Sequence, residues 1–183
     1  MTKRIASPSR IAQPERRKRR ETPLRGLPPV IAADARVLIL GSFPSEASLA
    51  AAQYYAHPRN HFWPILGDVL HEPLAQLPYA GRLARVIAHR VAIWDTIVAC
   101  ERSGSLDSAI RNAEQGELDH VRRIAVGLRA VCFNGKTAAR ARTAWAQAGY
   151  ATLVMPSTSP AYTLPMAEKL VRWRELGHFL ETR

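Results

Sequence analysis

The sequence has few of the features that mark several common classes of protein. Its 183 residues contain only two cysteines, Cys100 and Cys132, which excludes a disulfide scaffold, a zinc ribbon and a four-cysteine iron–sulfur cluster. No apolar run approaches the roughly 18 residues that a membrane-spanning helix needs. The basic N-terminus lacks the apolar core of a signal peptide. We therefore expect a cytoplasmic protein with no membrane partner.

Acidic residues are also scarce. The sequence contains 15 Asp and Glu residues but 26 Lys and Arg residues, which gives a net charge of +11. Residues 1–25 contain nine of the basic residues but only two acidic ones. A basic segment that is rich in proline cannot bury enough apolar surface to fold. We predict a disordered arm over residues 1–28 and a single domain over residues 29–183. The charge alone fits an arm that attracts DNA phosphates, a solubilising tail or a misassigned start codon.

Short apolar runs alternate with helical patterns along the rest of the chain. The runs predict buried strands over 36–40, 91–94, 130–133 and 151–155, and the intervening patterns predict helices over 61–70, 79–89, 118–127, 136–148 and 165–180. Strands that are separated by helices pair in parallel. The sequence therefore predicts a three-layer α/β/α domain with a central, mostly parallel four-stranded sheet.

Polar segments follow each predicted strand. They are residues 41–45, Asp95-Thr96, residues 134–136 and residues 156–161. In an open parallel sheet, ligands bind in the crevice outside the carboxyl ends of the strands. We expect the four segments to form one site.

Three more familiar kinds of site find no support. Lys136 and Thr137 end a near-match to a phosphate-binding loop whose first glycine is missing, which leaves Lys136 to face solvent or a DNA phosphate. His57 and His61 have the spacing of metal ligands, but Pro58 separates them and no third ligand is near. No nucleophile-elbow pattern indicates a hydrolytic triad.

The segment from Tyr54 to Trp63 is the densest in chemistry, with four aromatics, two histidines, an arginine and an asparagine in ten residues. Aromatic rings beside Arg and Asn suit the stacking of a nucleobase and the holding of its backbone. The alternative is that Phe62 and Trp63 form the core face of the following helix.

Three ordered motifs resemble the uracil-DNA glycosylase superfamily, most of all its hypoxanthine (deoxyinosine) DNA glycosylase branch. They are Gly-Ser-Phe-Pro-Ser at 41–45, Tyr-Ala-His-Pro-Arg-Asn-His-Phe-Trp at 55–63 and Ser-Thr-Ser-Pro-Ala at 157–161. The mismatch-specific uracil/thymine branch shares the His-Pro-x-Asn-x-Phe-Trp stretch. The resemblance covers roughly residues 30–180, so that we expect a uracil-DNA glycosylase-like fold.

The resemblance implies a monofunctional DNA glycosylase that cleaves the N-glycosidic bond of a deaminated base, most of all hypoxanthine. Its partner is damaged DNA, it is a monomer associated with the nucleoid when bound, and abasic-site repair enzymes follow it. No metal or organic cofactor is implied. Two alternatives stay open: a glycosylase for uracil or a mismatched base, and a DNA-binding module that lacks catalysis.

The resemblance also implies roles for individual residues. Phe43 stands where many branches have a water-positioning Asp or Asn. In the hypoxanthine branch the catalytic amide belongs instead to the His-Pro-x-Asn segment, which gives Asn60 here, and the turn that begins at Ser42 stabilises the departing base or the neighbouring phosphate. Tyr55 stacks on the flipped base, Phe43 is a further base-binding residue, and Asp95 and Asn134 read the base edge. The DNA-binding residues are Ser45, His57, Lys136, Ser157, Ser159, Pro160, Ala161, Tyr162 and Thr163. Of these, Tyr162 or Thr163 fills the gap that the flipped nucleotide leaves.

Overall fold

The computed structural model describes residues 23–180. In chain order, its strands are β1 (Leu24–Arg25), β2 (Val37–Gly41), β3 (Val91–Asp95), β4 (Ile97–Glu101), β5 (Arg111–Gln115), β6 (Ala130–Asn134) and β7 (Ala151–Met155). Its α-helices are α1 (Glu46–Ala51), α2 (Phe62–Leu70), α3 (Tyr79–Ala88), α4 (Leu118–Ile124), α5 (Arg142–Gln147), α6 (Met166–Trp173) and α7 (Gly177–Leu180). Short 3-10 turns occupy Leu74–Gln76, Asp107–Ala109, Ala138–Ala141 and Arg174–Leu176.

The central sheet has the order β3-β2-β6-β7, and all of its strands are parallel. This confirms the predicted α/β fold with a four-stranded parallel sheet flanked by helices. Strands β2, β3 and β6 are buried along their whole length, as continuous apolar runs require. The chain goes from β2 to one neighbour, β3, and later inserts β6 on the other side of β2. The carboxyl ends of β2 and β6 therefore form the switch point where such folds open a crevice.

A second, antiparallel sheet of order β1-β4-β5 was not predicted. Only Thr96 separates β3 from β4, so that one apolar stretch supplies strands to both sheets. Strand β5 is exposed at all five positions and polar at four of them, and it therefore lacks the alternation that identifies a strand.

The predicted boundary at residue 29 needs a correction, because the described residues of the expected arm lie against the domain. Strand β1 pairs with β4, and the Gly26 amide donates to the Val98 carbonyl over 2.8 Å. The Tyr54 hydroxyl bonds to the carbonyls of Leu27 and Pro28, each over 3.2 Å. The remainder of the expected arm, residues 1–22, lies outside the described residues.

Two predicted helices are broken by 3-10 turns, and the helix predicted over 118–127 ends at Ile124. The pattern over 136–148 becomes a 3-10 turn followed by α5, and the pattern over 165–180 becomes α6, a 3-10 turn and α7. Phe62 and Trp63 lie in the core, as the alternative for the aromatic segment predicted, and so does Tyr54. Among residues 23–180, no helix combines the length and apolar character needed to cross a membrane.

Candidate active site

A cavity of about 230 Å³ opens at the carboxyl ends of β2, β3 and β6, where the sequence predicted the site. Eleven of the predicted site residues line it: Ser42, Phe43, Ser45, Tyr55, Asn60, Asp95, Asn134, Ser157, Ser159, Ala161 and Tyr162. His57, Lys136, Pro160 and Thr163 are not among its lining residues. The strand-end segments and the aromatic segment thus meet around one cavity, which we call the base pocket.

Gly41 lets two polar groups meet at the end of β2. A Cβ atom at Gly41 would overlap the Asp95 carboxyl group and would lie 3.0 Å from the Tyr55 hydroxyl. Neither neighbour is the flexible end of an exposed side chain, because both groups are buried. A side chain at position 41 would therefore displace the groups that form the floor of the pocket.

Asp95 is a buried carboxyl group whose ionisation is unfavourable. Its Oδ2 atom has no hydrogen-bond partner among the described residues. Burial, together with the nearby charge of Asp107, raises the pKa of Asp95 to about 7, while Arg102 opposes the rise. A carboxyl group with such a pKa changes its protonation state near neutral pH and is typical of functional sites.

Phe43 and Ser42 are held by residues from the β4–β5 region. The Arg102 guanidinium is 8% exposed, lies 4.9 Å from the centroid of the Phe43 ring and donates to the Pro44 carbonyl over 2.5 Å. The Ser42 hydroxyl donates to Oδ1 of Asp107 over 2.7 Å. The turn after β2 is therefore fixed from beneath by a buried cation and from the side by a carboxylate.

Tyr55 has a backbone conformation that bulky residues rarely adopt, with a φ of +55°. Its ring stacks on Phe62 with a centroid distance of 3.7 Å and an interplanar angle of 17°. Its hydroxyl is buried without a hydrogen-bond partner of ordinary geometry among the described residues, and burial raises its pKa while the nearby Asn134 side chain opposes the rise. With one face held by the core and the residue lining the cavity, Tyr55 has the placement of a stacking platform.

Asn60 lies at the start of α2, and its side chain orients the first turn of that helix. Its Oδ1 atom accepts a hydrogen bond from the Phe62 backbone amide over 3.0 Å, and the backbone N–H of Asn60 donates to the His57 carbonyl over 2.8 Å. Because the atom that accepts from an N–H group must be oxygen, the amide nitrogen is the other end of the side chain. Asn60 thus offers an NH₂ donor and the remaining lone pair of Oδ1.

Asn134 holds the loop that follows β7. Its Nδ2 atom donates to the Thr158 hydroxyl and its Oδ1 atom accepts from the Thr158 amide, each over 2.9 Å. Gly135 has a φ of +96°, and a Cβ atom there would lie 2.9 Å from that of Ser157. The structure shows that Asn134 clamps the loop, and its role in reading the base edge stays a prediction.

The loop itself is built from short side-chain bonds to its own backbone. The Ser157 hydroxyl accepts from the Ser159 amide and the Ser159 hydroxyl accepts from the Ala161 amide, each over 3.2 Å. The Ser45 hydroxyl is used in a similar way, since it accepts from the Ser48 amide at the start of α1 over 3.2 Å. These serines shape the rim of the pocket from two sides.

Four predicted DNA-binding residues lie away from the cavity. His57 is half-buried, and its Nδ1 atom accepts from the Arg59 amide over 3.1 Å. Lys136 and Thr163 are exposed, and Pro160 is half-buried between the lining residues Ser159 and Ala161. Contact with the backbone of bound DNA remains a prediction for all four.

Several lining residues were not predicted, notably Leu106, Asp107 and Thr158, and neither was Arg102, which lies against the Phe43 ring without lining the cavity. Three of them belong to the β4–β5 region, which the sequence did not reveal as a hairpin. Leu106 is 58% exposed although it is apolar, and it lines the base pocket. The sequence offered one indication that Leu106 belongs to a site, which is its position in the short segment between Gly104 and Asp107. Loops of this kind often contain functional residues when the rest of the fold holds them in place.

A larger cavity of about 540 Å³ lies beside the base pocket and shares Asp95 and Asp107 with it. Trp94, Trp145 and Arg140 also line this cavity, but Asn60 and Tyr55 do not. The smaller cavity therefore contains the residues that suit base chemistry. In the described part of the chain, no group of three or more His, Cys, Asp or Glu side chains is arranged to hold a metal ion.

Comparison with known proteins identifies the family. The model of the uracil DNA glycosylase superfamily matches residues 28–177. A hypoxanthine DNA glycosylase from Methanosarcina barkeri is 33% identical over 151 residues, which are 82% of this chain and 96% of the relative. A hypoxanthine DNA glycosylase from Methanosarcina acetivorans is 36% identical over 137 residues, 75% of this chain and 87% of the relative.

A solved structure agrees with this. The solution NMR structure of a candidate uracil DNA glycosylase from Methanosarcina acetivorans superposes with a TM-score of 0.75 at 34% sequence identity and covers 86% of this chain and 100% of its own. The family match spans the central sheet and every motif that lines the base pocket. The chain therefore belongs to the uracil DNA glycosylase superfamily.

Proposed function

We propose that this protein is a DNA glycosylase that hydrolyses the N-glycosidic bond of deoxyinosine in DNA and releases hypoxanthine. The observation that carries the proposal is the meeting of Asn60, Tyr55, Phe43 and Asp95 around one base pocket. Two relatives that are named hypoxanthine DNA glycosylases and match most of this chain support the same substrate.

The reaction begins when the deoxyinosine leaves the base stack and enters the pocket. The cavity offers the free face of the Tyr55 ring, whose other face is covered by Phe62. Stacking on an aromatic ring contributes roughly 1–3 kcal/mol per base and does not depend on base sequence. Tyr55 therefore captures the flipped base, and the rigid ring pair keeps it in place.

Base selection falls to the polar floor of the pocket. Hypoxanthine presents an N1–H donor and an O6 acceptor on the edge where adenine presents an acceptor and an amino group. The ionised Asp95 carboxylate accepts the N1–H, and an amide such as that of Asn134 donates to O6. Adenine lacks both groups and leaves the two partners without a bond, so that these contacts reject it, whereas guanine shares both groups with hypoxanthine and is not distinguished by them.

Cleavage needs a water molecule on C1′ of the sugar and a place for the charge of the departing base. Asn60 orients the water through its amide, which requires no tuned pKa. The transition state resembles an oxocarbenium ion, and the leaving base takes the electron pair of the bond. Amide N–H groups of the Ser42–Ser45 turn and the Arg102 cation beneath Phe43 favour that negative charge.

The rest of the rim contacts the DNA backbone. Ser45, Ser157 and Ser159 present small polar groups around the pocket mouth, and the exposed Lys136 supplies a charge for phosphate. The protein acts as a monomer in the cytoplasm, bound to the nucleoid, and leaves an abasic site that downstream repair enzymes process. No lysine takes part as a Schiff-base nucleophile in this scheme, so that the strand stays intact.

A panel of duplexes tests the proposal. Matched oligonucleotides contain deoxyinosine, deoxyuridine, deoxyxanthosine or a G·T mismatch at one position, and alkali-labile strand breaks are measured under single-turnover conditions. We expect the fastest cleavage with deoxyinosine. Faster cleavage with deoxyuridine or the mismatch would favour a uracil or mismatch glycosylase, and tight binding without alkali-labile breaks would favour a DNA-binding module without catalysis.

A further inference from the structure

Helix α6 anchors both ends of the loop that borders the base pocket. Lys169 and Trp173 stand four residues apart on one face of α6 and are both fully buried. Trp173 donates from Nε1 to the Pro156 carbonyl over 3.0 Å, and Lys169 donates from Nζ to the Tyr162 carbonyl over 2.7 Å. One helix thereby holds the loop over residues 156–162 at its first and last residues.

The burial of a lysine at position 169 is energetically unfavourable. A buried ammonium group is unfavourable unless it is paired, and none of the ion pairs among residues 23–180 includes Lys169. Burial accordingly lowers its pKa. An apolar side chain of similar length would fill the same space without that cost. The hydrogen bond to the loop is therefore the feature that distinguishes Lys169 from a core residue.

Tyr162 is the residue that Lys169 holds. Its ring is 46% exposed at the mouth of the base pocket, and the Lys169 Nζ atom lies 5.3 Å from the ring centroid. The Tyr162 amide donates to the Ser159 carbonyl over 3.0 Å. Both its backbone and its ring are therefore fixed, although the ring itself faces solvent.

An exposed aromatic ring with a fixed backbone at a pocket mouth suits insertion into a base stack. Proteins that distort DNA insert such apolar side chains between bases, and flipping a paired base requires that its stacking and pairing be replaced. Thr163, the other residue predicted for this place, is exposed but does not line the pocket.

The geometry points to Lys169 as a positioning residue that sets Tyr162 to fill the gap left by the flipped nucleotide. The inference rests on the proposed glycosylase function and adds to it a role for α6. Because the ring replaces lost stacking, Lys169 matters most where the deoxyinosine is paired and stacked. It matters little where the base is already unpaired.

The test compares Lys169→Met with the wild type on two substrates, a duplex with paired deoxyinosine and the same strand with deoxyinosine unpaired in a bubble. Single-turnover excision from the duplex should fall roughly tenfold, the effect of losing a hydrogen bond to a charged group, while excision from the bubble stays near the wild-type rate. Tyr162→Ala should show the same selectivity. Lys169→Met should add nothing in the Tyr162→Ala background, because it acts through Tyr162. Lys169→Arg, which keeps a donor, should restore part of the duplex rate.

Arg172→Met is the matched control, because it removes a cation from the exposed side of the same helix. It should leave the ratio of duplex to bubble rates unchanged. The inference is overturned if Lys169→Met slows both substrates equally or neither, or if the two substitutions are additive. It is equally overturned if Tyr162→Ala slows excision from the duplex no more than excision from the bubble. That result would count even if Lys169→Met proved too unstable to measure. A wild-type protein that cleaves neither substrate would instead refute the proposed function, and the inference with it.

Discussion

Tyr55 concentrates three unusual properties in one residue: a positive φ, a ring stacked on Phe62 and a buried hydroxyl without a partner. Strained backbone of this kind persists where the surrounding structure enforces it, often at functional sites. The ring face is the part that the proposed reaction uses. The hydroxyl has no hydrogen-bond partner of ordinary geometry among the described residues, and the Asn134 side chain is its polar neighbour.

We therefore expect Tyr55→Phe to excise hypoxanthine within a few-fold of the wild-type rate and to melt at the same temperature or higher. Tyr55→Ala should slow excision by roughly 5- to 150-fold, since base stacking contributes about 1–3 kcal/mol. Single-turnover kinetics and thermal denaturation measure both effects. Leu74→Ala serves as the control, because Leu74 is fully buried in the core and does not line the base pocket, so that this variant should lose stability without an equal loss of rate. A Phe variant as slow as the Ala variant would contradict stacking.

Asp95 predicts a specific dependence of stability on pH. Its pKa is about 7 in the folded protein, above the value of an exposed aspartate, because burial and Asp107 disfavour its charge. The folded state therefore binds the proton more tightly than the unfolded state. This contribution to stability is fully present below about pH 4 and is lost as the pH rises through 7.

Asp95→Asn removes that titration. We expect the melting temperature of Asp95→Asn to exceed that of the wild type at pH 8 and the difference to shrink or reverse at pH 5. Other titrating groups are common to both proteins, so that the difference isolates Asp95. Thermal denaturation across the pH range measures it. A difference that does not change between pH 5 and pH 8 would show that Asp95 has an ordinary pKa.

The positions of Asp95 and Asn134 could be predicted because both residues end a strand. A parallel sheet brings the carboxyl ends of its strands together at one edge, independently of the paths of the loops. The contacts of Asn134 with Thr158 could not be predicted, since they depend on the path of a loop. Arg102 was also missed for a physical reason. Its sequence context resembles a solvent-exposed arginine, and only the folded β4–β5 region buries it under Phe43.

At the scale of elements, the apolar runs predicted the four parallel strands. Strands β2, β3 and β6 are buried along their whole length, and the edge strand β7 has an apolar sequence although it is mostly half-buried. The β4–β5 hairpin escaped prediction because its second strand is exposed and polar. The hairpin nevertheless brings Leu106 and Asp107 to the pocket. A region that carries little of the core thus supplies part of the site.

Leu106 offers a test of this region. Its side chain is 58% exposed at the pocket mouth, an arrangement that stability does not require. We expect Leu106→Ala to slow excision from duplex DNA by roughly fivefold, the equivalent of about 1 kcal/mol of lost apolar contact, with an unchanged melting temperature. Val126→Ala is the matched control, since Val126 is 81% exposed and does not line the pocket. Equal rates for the two variants would exclude a role of the hairpin in contact with the substrate.

At the scale of the whole molecule, charge is distributed unevenly along the chain. Residues 1–22 carry eight basic and two acidic side chains, more than half of the net charge of +11. Contacts with phosphate contribute affinity but no base information. The prediction that this segment binds DNA falls on residues outside those that the structure describes.

Deletion of residues 1–22 leaves β1 and its pairing with β4 intact. We expect the truncated protein to bind duplex DNA more weakly and to keep its base preference. The slope of log affinity against log salt concentration should become shallower by up to about 5 units. Affinity measured across a salt series compares the two proteins. The same slope for both would show that these residues do not contact DNA.

The release of free hypoxanthine is the measurement that tests the central claim most directly. A duplex with one deoxyinosine is incubated with excess protein, and the base is quantified by mass spectrometry while the strand is followed on a denaturing gel. We predict one hypoxanthine per duplex, a strand that breaks only after alkali, and a rate that falls on the order of 10²–10³-fold in Asn60→Ala. Absence of free base, strand breakage without alkali, or an Asn60→Ala rate close to the wild type would contradict the account.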